Sequence, residues 1–225
     1  MKLQTVFGLL ALALGAGVAR ANSTNYTFTL NSEPPVTLAS SGLILDGSGV
    51  GLDALGVVSG VEGTLSSITV GLNLSGGYNG DLYAMLVSPG GTRSALLMNS
   101  PGVTPGNPFG YAGSGMNLTL GDAGTDGNIQ TTTQPVGTVF TGDFTAATAL
   151  DSAFTGLTPN GTWHLYIEDQ SLGGGSLVLN GWSLYITEVP EPNVATLCLV
   201  GFMAFGYRYR RTLGFGRRVW QSWVC

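Results

Sequence analysis

The chain has 225 residues, of which only 9% are charged, 36 are glycine and two are cysteine. All 13 acidic residues lie between Glu33 and Glu191 and face a single base there, Arg93, so that stretch carries a formal charge of −12. A body this acidic repels phosphate backbones, which excludes nucleic acid as a partner. Its length is enough to bury a real core, and its glycine, serine and threonine content favours short strands and tight turns over helices.

Residues 1–21 read as a signal peptide. Lys2 starts it, an apolar run from Val6 to Val18 follows, and Ala19-Arg20-Ala21 forms a small-x-small cleavage site. The run is short for a membrane span and has no polar face to present beside a core. The mature protein is therefore expected outside the cytoplasm, beginning at Asn22. Residues 22–61 are expected to form an N-terminal extension that adds one or two edge strands or a flexible lead.

Residues 62–188 carry the period-2 alternation of strands. In "SITVGLNLSGG" Ile68, Val70, Leu72 and Leu74 share one face. In "DLYAMLVSPGGTRSALLM" Leu82, Ala84 and Leu86 do so, followed by a Ser-Pro-Gly-Gly turn and a second run around Leu96. "GTWHLYIED" turns Trp163, Leu165 and Ile167 inward and His164, Tyr166 and Glu168 outward. In "SLVLNGWSLYIT" the apolar positions change parity, from Leu177 and Leu179 to Trp182, Leu184 and Ile186, which places a β-bulge or sharp bend at Asn180-Gly181. Glycine-, proline- and threonine-rich loops occupy 99–115 and 121–138. The reading is all-β: two sheets packed as a sandwich, each with one polar face.

The acidic body contains one histidine and no cysteine, and no Gly-x-Ser-x-Gly elbow occurs. A serine triad would need His164, which sits on a polar strand face, and a zinc site lacks its ligands. No catalytic residue is assigned. Glu168 and Asp169 are sequence neighbours whose side chains point to opposite faces, unlike a glycosidase pair. Asp81 in "GGYNGD" and Asp169 in "IED" lie at strand borders beside glycine- and serine-rich loops. Two readings stand for them: ligands of a hard cation such as calcium, or acceptors that cap turns and bind backbone amides. The only cofactor considered is calcium. Cys198 and Cys225 lie outside the body, so no disulfide framework supports the fold.

Residues 189–225 form a separate tail. Pro190 and Pro192 flank Glu191 and end strand pairing. An apolar run from Val194 to Tyr207 follows, and then Arg208, Arg210 and Arg211. As a helix at about 1.5 Å per residue the run covers only part of a hydrocarbon layer of about 30 Å. The arginines would hold its far end in the cytoplasm and leave the acidic body outside.

Two resemblances follow from these residues. Residues 62–188 resemble the P domain (P/Homo B module) that follows the catalytic domain of proprotein convertases. The first block is Ile68-x-Val70-x-Leu72, Tyr78-x-Gly80-Asp81-Leu82 and Leu86-x-Ser88-Pro89-x-Gly91-Thr92. The second is Phe154-x-Gly156, Asn160-Gly161-Thr162-Trp163-x-Leu165-x-Ile167-x-Asp169, Gly175-Ser176-Leu177 and Trp182-Ser183-Leu184-x-Ile186. This implies a jelly-roll-like β-sandwich that accompanies a protease without being one. The tail resembles the PEP-CTERM sorting signal of Gram-negative bacteria: Pro190-Glu191-Pro192, a short hydrophobic segment and an arginine cluster. That resemblance implies an exosortase-type transpeptidase as partner and delivery to the cell surface or an exopolysaccharide matrix, with membrane tethering before processing. The expected function is a non-catalytic binding or structural module. Its rivals are a carbohydrate-binding jelly roll using Tyr78, Tyr83, Tyr111 or Tyr166 as an aromatic platform, and an accessory to a serine endopeptidase.

Overall fold

Alternating apolar and polar residues, broken by glycine and proline turns, run through the described part of the chain, residues 22–29, 43–47 and 49–189 of the computed structural model. They form ten strands: β1 (Asn22–Thr29), β2 (Leu43–Ile44), β3 (Leu52–Val58), β4 (Thr64–Gly76), β5 (Leu82–Val87), β6 (Ser94–Asn99), β7 (Met116–Leu120), β8 (Phe140–Phe144), β9 (Gly161–Asp169) and β10 (Leu177–Val189). One short α-helix, α1 (Leu150–Phe154), is added. The strands make two sheets. The larger runs β1-β10-β4-β7-β8 with β2 beside the start of β10, and the four-stranded sheet runs β3-β9-β5-β6. The fold is an all-β sandwich, and residues 22–61 contribute β1, β2 and β3 to it.

Neighbouring strands pair antiparallel except β7 and β8, which are parallel. Parallel partners cannot be joined by a tight hairpin, and residues 121–139 make the long return. Period 2 decides what is buried: Ile68, Val70, Leu72 and Leu74 of β4 face Leu82, Ala84 and Leu86 of β5 and Trp163, Leu165 and Ile167 of β9 across one core. The parity change in β10 is a bulge. Its ladder with β4 skips from Leu179 to Gly181, so Leu177, Leu179, Trp182, Leu184 and Ile186 are all buried despite their mixed parity. A second irregularity alters the expected run around Leu96. The β5–β6 ladder skips a residue on β6, so Leu97 and Met98 are buried side by side while Leu96 is half-buried.

Polar side chains tie the loops to this frame. Asn79, fully buried, donates to Gly115 O at 3.0 Å and to Gln134 Oε1 at 2.8 Å and accepts from Gly115 N at 3.0 Å. Arg93 donates through Nη1 to Ala153 O and Thr155 O at the end of α1, where a cation complements the helix carbonyls. Trp163 packs edge-on against Phe154 at 5.2 Å between centroids, and its Nε1 donates to Pro159 O at 2.8 Å. Among the described residues no helix is long and apolar enough to cross a membrane. The expected signal peptide with Ala19 and Ala21, and the tail with Pro190, Glu191, Pro192, Arg208, Arg210 and Arg211, lie outside the described residues.

Candidate cation site

Asp81 closes a 3-10 turn (Asn79–Asp81) that leads into β5, and Asp169 is the last residue of β9. Leu82 and Asp169 are register partners, and Gln170 N donates to Asp81 O at 2.9 Å. The antiparallel ladder therefore brings the two acids of distant sequence blocks to one end of the four-stranded sheet. A third acid joins them. Asp46 follows β2, and its carboxylate accepts from Gly173 N at 3.1 Å and Gly175 N at 3.3 Å, which fastens the loop after β9.

These carboxylates differ in how well they are satisfied. Asp81 is buried and takes a hydrogen bond from the Ser171 side chain. Asp169 is 0% exposed. Its Oδ1 receives a long bond from Ser171 N, at 3.4 Å, and its Oδ2 has no hydrogen-bond partner among the described residues. Burial pushes the Asp169 carboxyl up to about 6, the charges of Asp46 and Asp81 add to the rise, and the amides of Ser171 and Gly47 offset only part of it. Burial, and after it the Asp46 charge, also raises Asp81. Among the described residues no base balances the three acids, because Arg93, the one base of the acidic body, is bound to the carbonyls of Ala153 and Thr155.

A buried carboxyl with an orphaned oxygen and like charges beside it is stabilised by a proton or by a hard cation. The oxygen-only donor set suits calcium or magnesium and not a soft metal. Among the described residues no three His, Cys, Asp or Glu side chains form a ready-made ligand set, so an ion here would draw on loop carbonyls as well. Asp46 escaped the sequence reading. Its signal was a lone acid in a glycine and serine turn, "LDGSGVG", the same composition that surrounds Asp81 and Asp169.

The other residues singled out lie elsewhere. His164 Nδ1 faces Asp53 Oδ2 at 3.0 Å on the outer face of the four-stranded sheet. Among the described residues Asp53 is its hydrogen-bonding partner, and no serine joins the pair. Tyr83 and Tyr166 lie on that same face at 6.2 Å, edge to face. Tyr111 is in a loop and donates to Thr131 O at 2.6 Å, and Tyr78 packs against Gly174. The four tyrosines therefore do not make one platform.

The family model of the Proprotein convertase P-domain matches residues 65–186. Two solved structures resemble the chain: the serine protease of Aeromonas sobria in complex with the chaperone ORF2, at 14% identity and a TM-score of 0.46, and a structure of the serine protease of Aeromonas sobria, at 14% and 0.45. The similarity covers 76% and 75% of this chain and 27% of each protease chain, so the chain corresponds to about a quarter of the protease's length. No curated protein matches it. With more than half of its residues inside the family match, the chain belongs to the proprotein convertase P-domain family.

Proposed function

We propose that this chain is a non-catalytic binding or structural module of the exported class, stabilised by calcium at Asp81, Asp169 and Asp46. The observation that carries the cation is the orphaned Oδ2 of the fully buried Asp169. Bound calcium would supply positive charge and fixed coordination, joining the ends of β5 and β9 to the loops after β2 and β9. The chain's own residues hold that joint: Gln170 locks the two strands, and Asp46 locks the loop. A melting experiment on the full-length chain tests the idea. Calcium should raise Tm and chelator should lower it, and an unchanged Tm would sink the proposal.

The non-catalytic reading draws on the His164–Asp53 pair, which no serine joins among the described residues. The repeated passage of the chain between sheets supports a jelly-roll-like winding, from which the parallel β7–β8 pair departs. Delivery rests on the sequence alone: residues 1–21 as the export signal, and Pro190-Glu191-Pro192 with Arg208, Arg210 and Arg211 as a PEP-CTERM tail read by an exosortase-type transpeptidase. The module would then work at the surface of a Gram-negative cell or in its matrix. Cell fractionation with and without residues 189–225 checks this, and identical distributions would refute it. Family membership also favours a second reading, an accessory to a serine endopeptidase. Co-purification of a serine protease with the full-length chain would support that reading.

A further inference from the structure

We propose that the outer face of the six-stranded sheet is a binding cleft for a neutral polysaccharide. This proposal is independent of the cation site. The face should be a flat polar surface, but two outward positions at its centre lack side chains. Gly71 of β4 lies opposite Ser183, and Gly181 of β10 lies opposite Asn73. Both glycines line a cleft of about 370 Å³ on that face, within the size range of small-molecule sites. A second cleft of about 250 Å³ adjoins it, and Thr119 and Tyr185 line both. Two clefts that share a wall suit a chain of rings better than a single ring.

The lining is made of groups that both donate and accept. The amides of Asn73, Asn117 and Asn180 and the hydroxyls of Thr27 and Ser183 border the larger cleft. Some of this capacity is spent internally, since Asn180 Nδ2 donates to Asn73 Oδ1 at 3.0 Å. Ser183, 8% exposed, lies opposite Gly71 and lines the floor of the cleft. Sugar hydroxyls donate and accept in turn, as these groups do. Tyr185, 40% exposed and common to both clefts, offers a ring face for the C–H side of a sugar.

Charge and backbone pairing remove the competing ligands. Among the described residues neither cleft contains a basic side chain, and the second holds Asp143, so a sulfated, phosphorylated or uronic polymer would be repelled. A peptide added as a strand needs an open sheet edge, whereas the N–H and C=O groups of β4 are engaged by β10 and β7 on its two sides.

Affinity electrophoresis of the full-length chain through gels containing glucan, mannan, galactan or xylan tests the proposal, with dextran sulfate as the anionic probe. At least one neutral polymer should retard the protein and dextran sulfate should not. Tyr185→Ala and Asn117→Ala should each weaken that retardation about tenfold at unchanged Tm, while Leu55→Ser on the opposite sheet should leave it intact. Retardation by none of the neutral polymers overturns the proposal. So does preference for dextran sulfate, or equal retardation of the wild type and both cleft variants. Chelator should not abolish binding while the protein stays folded, which separates this outcome from the calcium result.

Discussion

The carbonyl of Asp81 and the N–H of Gln170 are joined at 2.9 Å, and this bond forces the Asp81 carboxylate to share one sheet end with the buried Asp169. The two acids would separate if β5 and β9 were free. Folding therefore buries both carboxyls, which raises each of them, and sets the Asp81 charge beside Asp169 as a smaller addition.

Because burial lifts Asp169 from 3.8 to about 6, the folded chain holds that proton more tightly than the unfolded chain does. The stability it contributes is fully present below about pH 4 and is lost as pH rises through about 6. In chelator the protein should therefore lose stability over that window. Asp169→Asn should flatten this part of the pH profile and raise stability at pH 7.5 by about 1–3 kcal/mol. Calcium should restore the wild type at pH 7.5 and do nothing for the variant. Urea denaturation at four or five pH values measures all of this.

Asn79 spends both ends of its amide on Gly115 and Gln134. Removing it strands a buried N–H, a carbonyl and a glutamine amide. Asn79→Ala should cost about 3 kcal/mol, read as a lower urea midpoint with an unchanged m-value.

Arg93 acts on carbonyls and not on a carboxylate. Arg93→Ala should lose about 1 kcal/mol. The loss should persist at high salt more than a surface ion pair's would, because directed hydrogen bonds are removed along with the charge. Thermal melts at two ionic strengths separate these contributions.

Deleting Asn180 removes the bulge of β10 and puts the residues on either side back in one parity. Either Leu177 and Leu179 or Trp182, Leu184 and Ile186 must then turn outward. The expected loss exceeds about 5 kcal/mol, so the deletion variant should lack the cooperative unfolding transition of the wild type.

Much of the fold was legible in the chain because its signals are local. The alternation in β4, β5 and β9 names the buried residues, and the parity change at Asn180 names the bulge. The β6 bulge was hidden, because Ala95 to Met98 are all apolar and a run without contrast does not declare its phase. At the candidate site, Asp81 and Asp169 stood out by their place at strand borders. Asp46 did not, since what matters is its bond to the loop after β9, across a long stretch of chain.

By itself the sequence determined the all-β class, the acidic body with its single arginine, and which residues are apolar enough to be buried. These depend on composition and on contacts between near neighbours. Only the tertiary structure decided which strands pair, that β7 and β8 run parallel, that Asp46 and Asp81 come near enough to Asp169 for their charges to act on it, and that Gly71, Gly181 and Tyr185 line one cleft. Each of these is a relation between residues far apart in the chain. Strand pairing selects among many partners of similar pattern, and period 2 records only which face of a strand is buried, not which strand lies beside it.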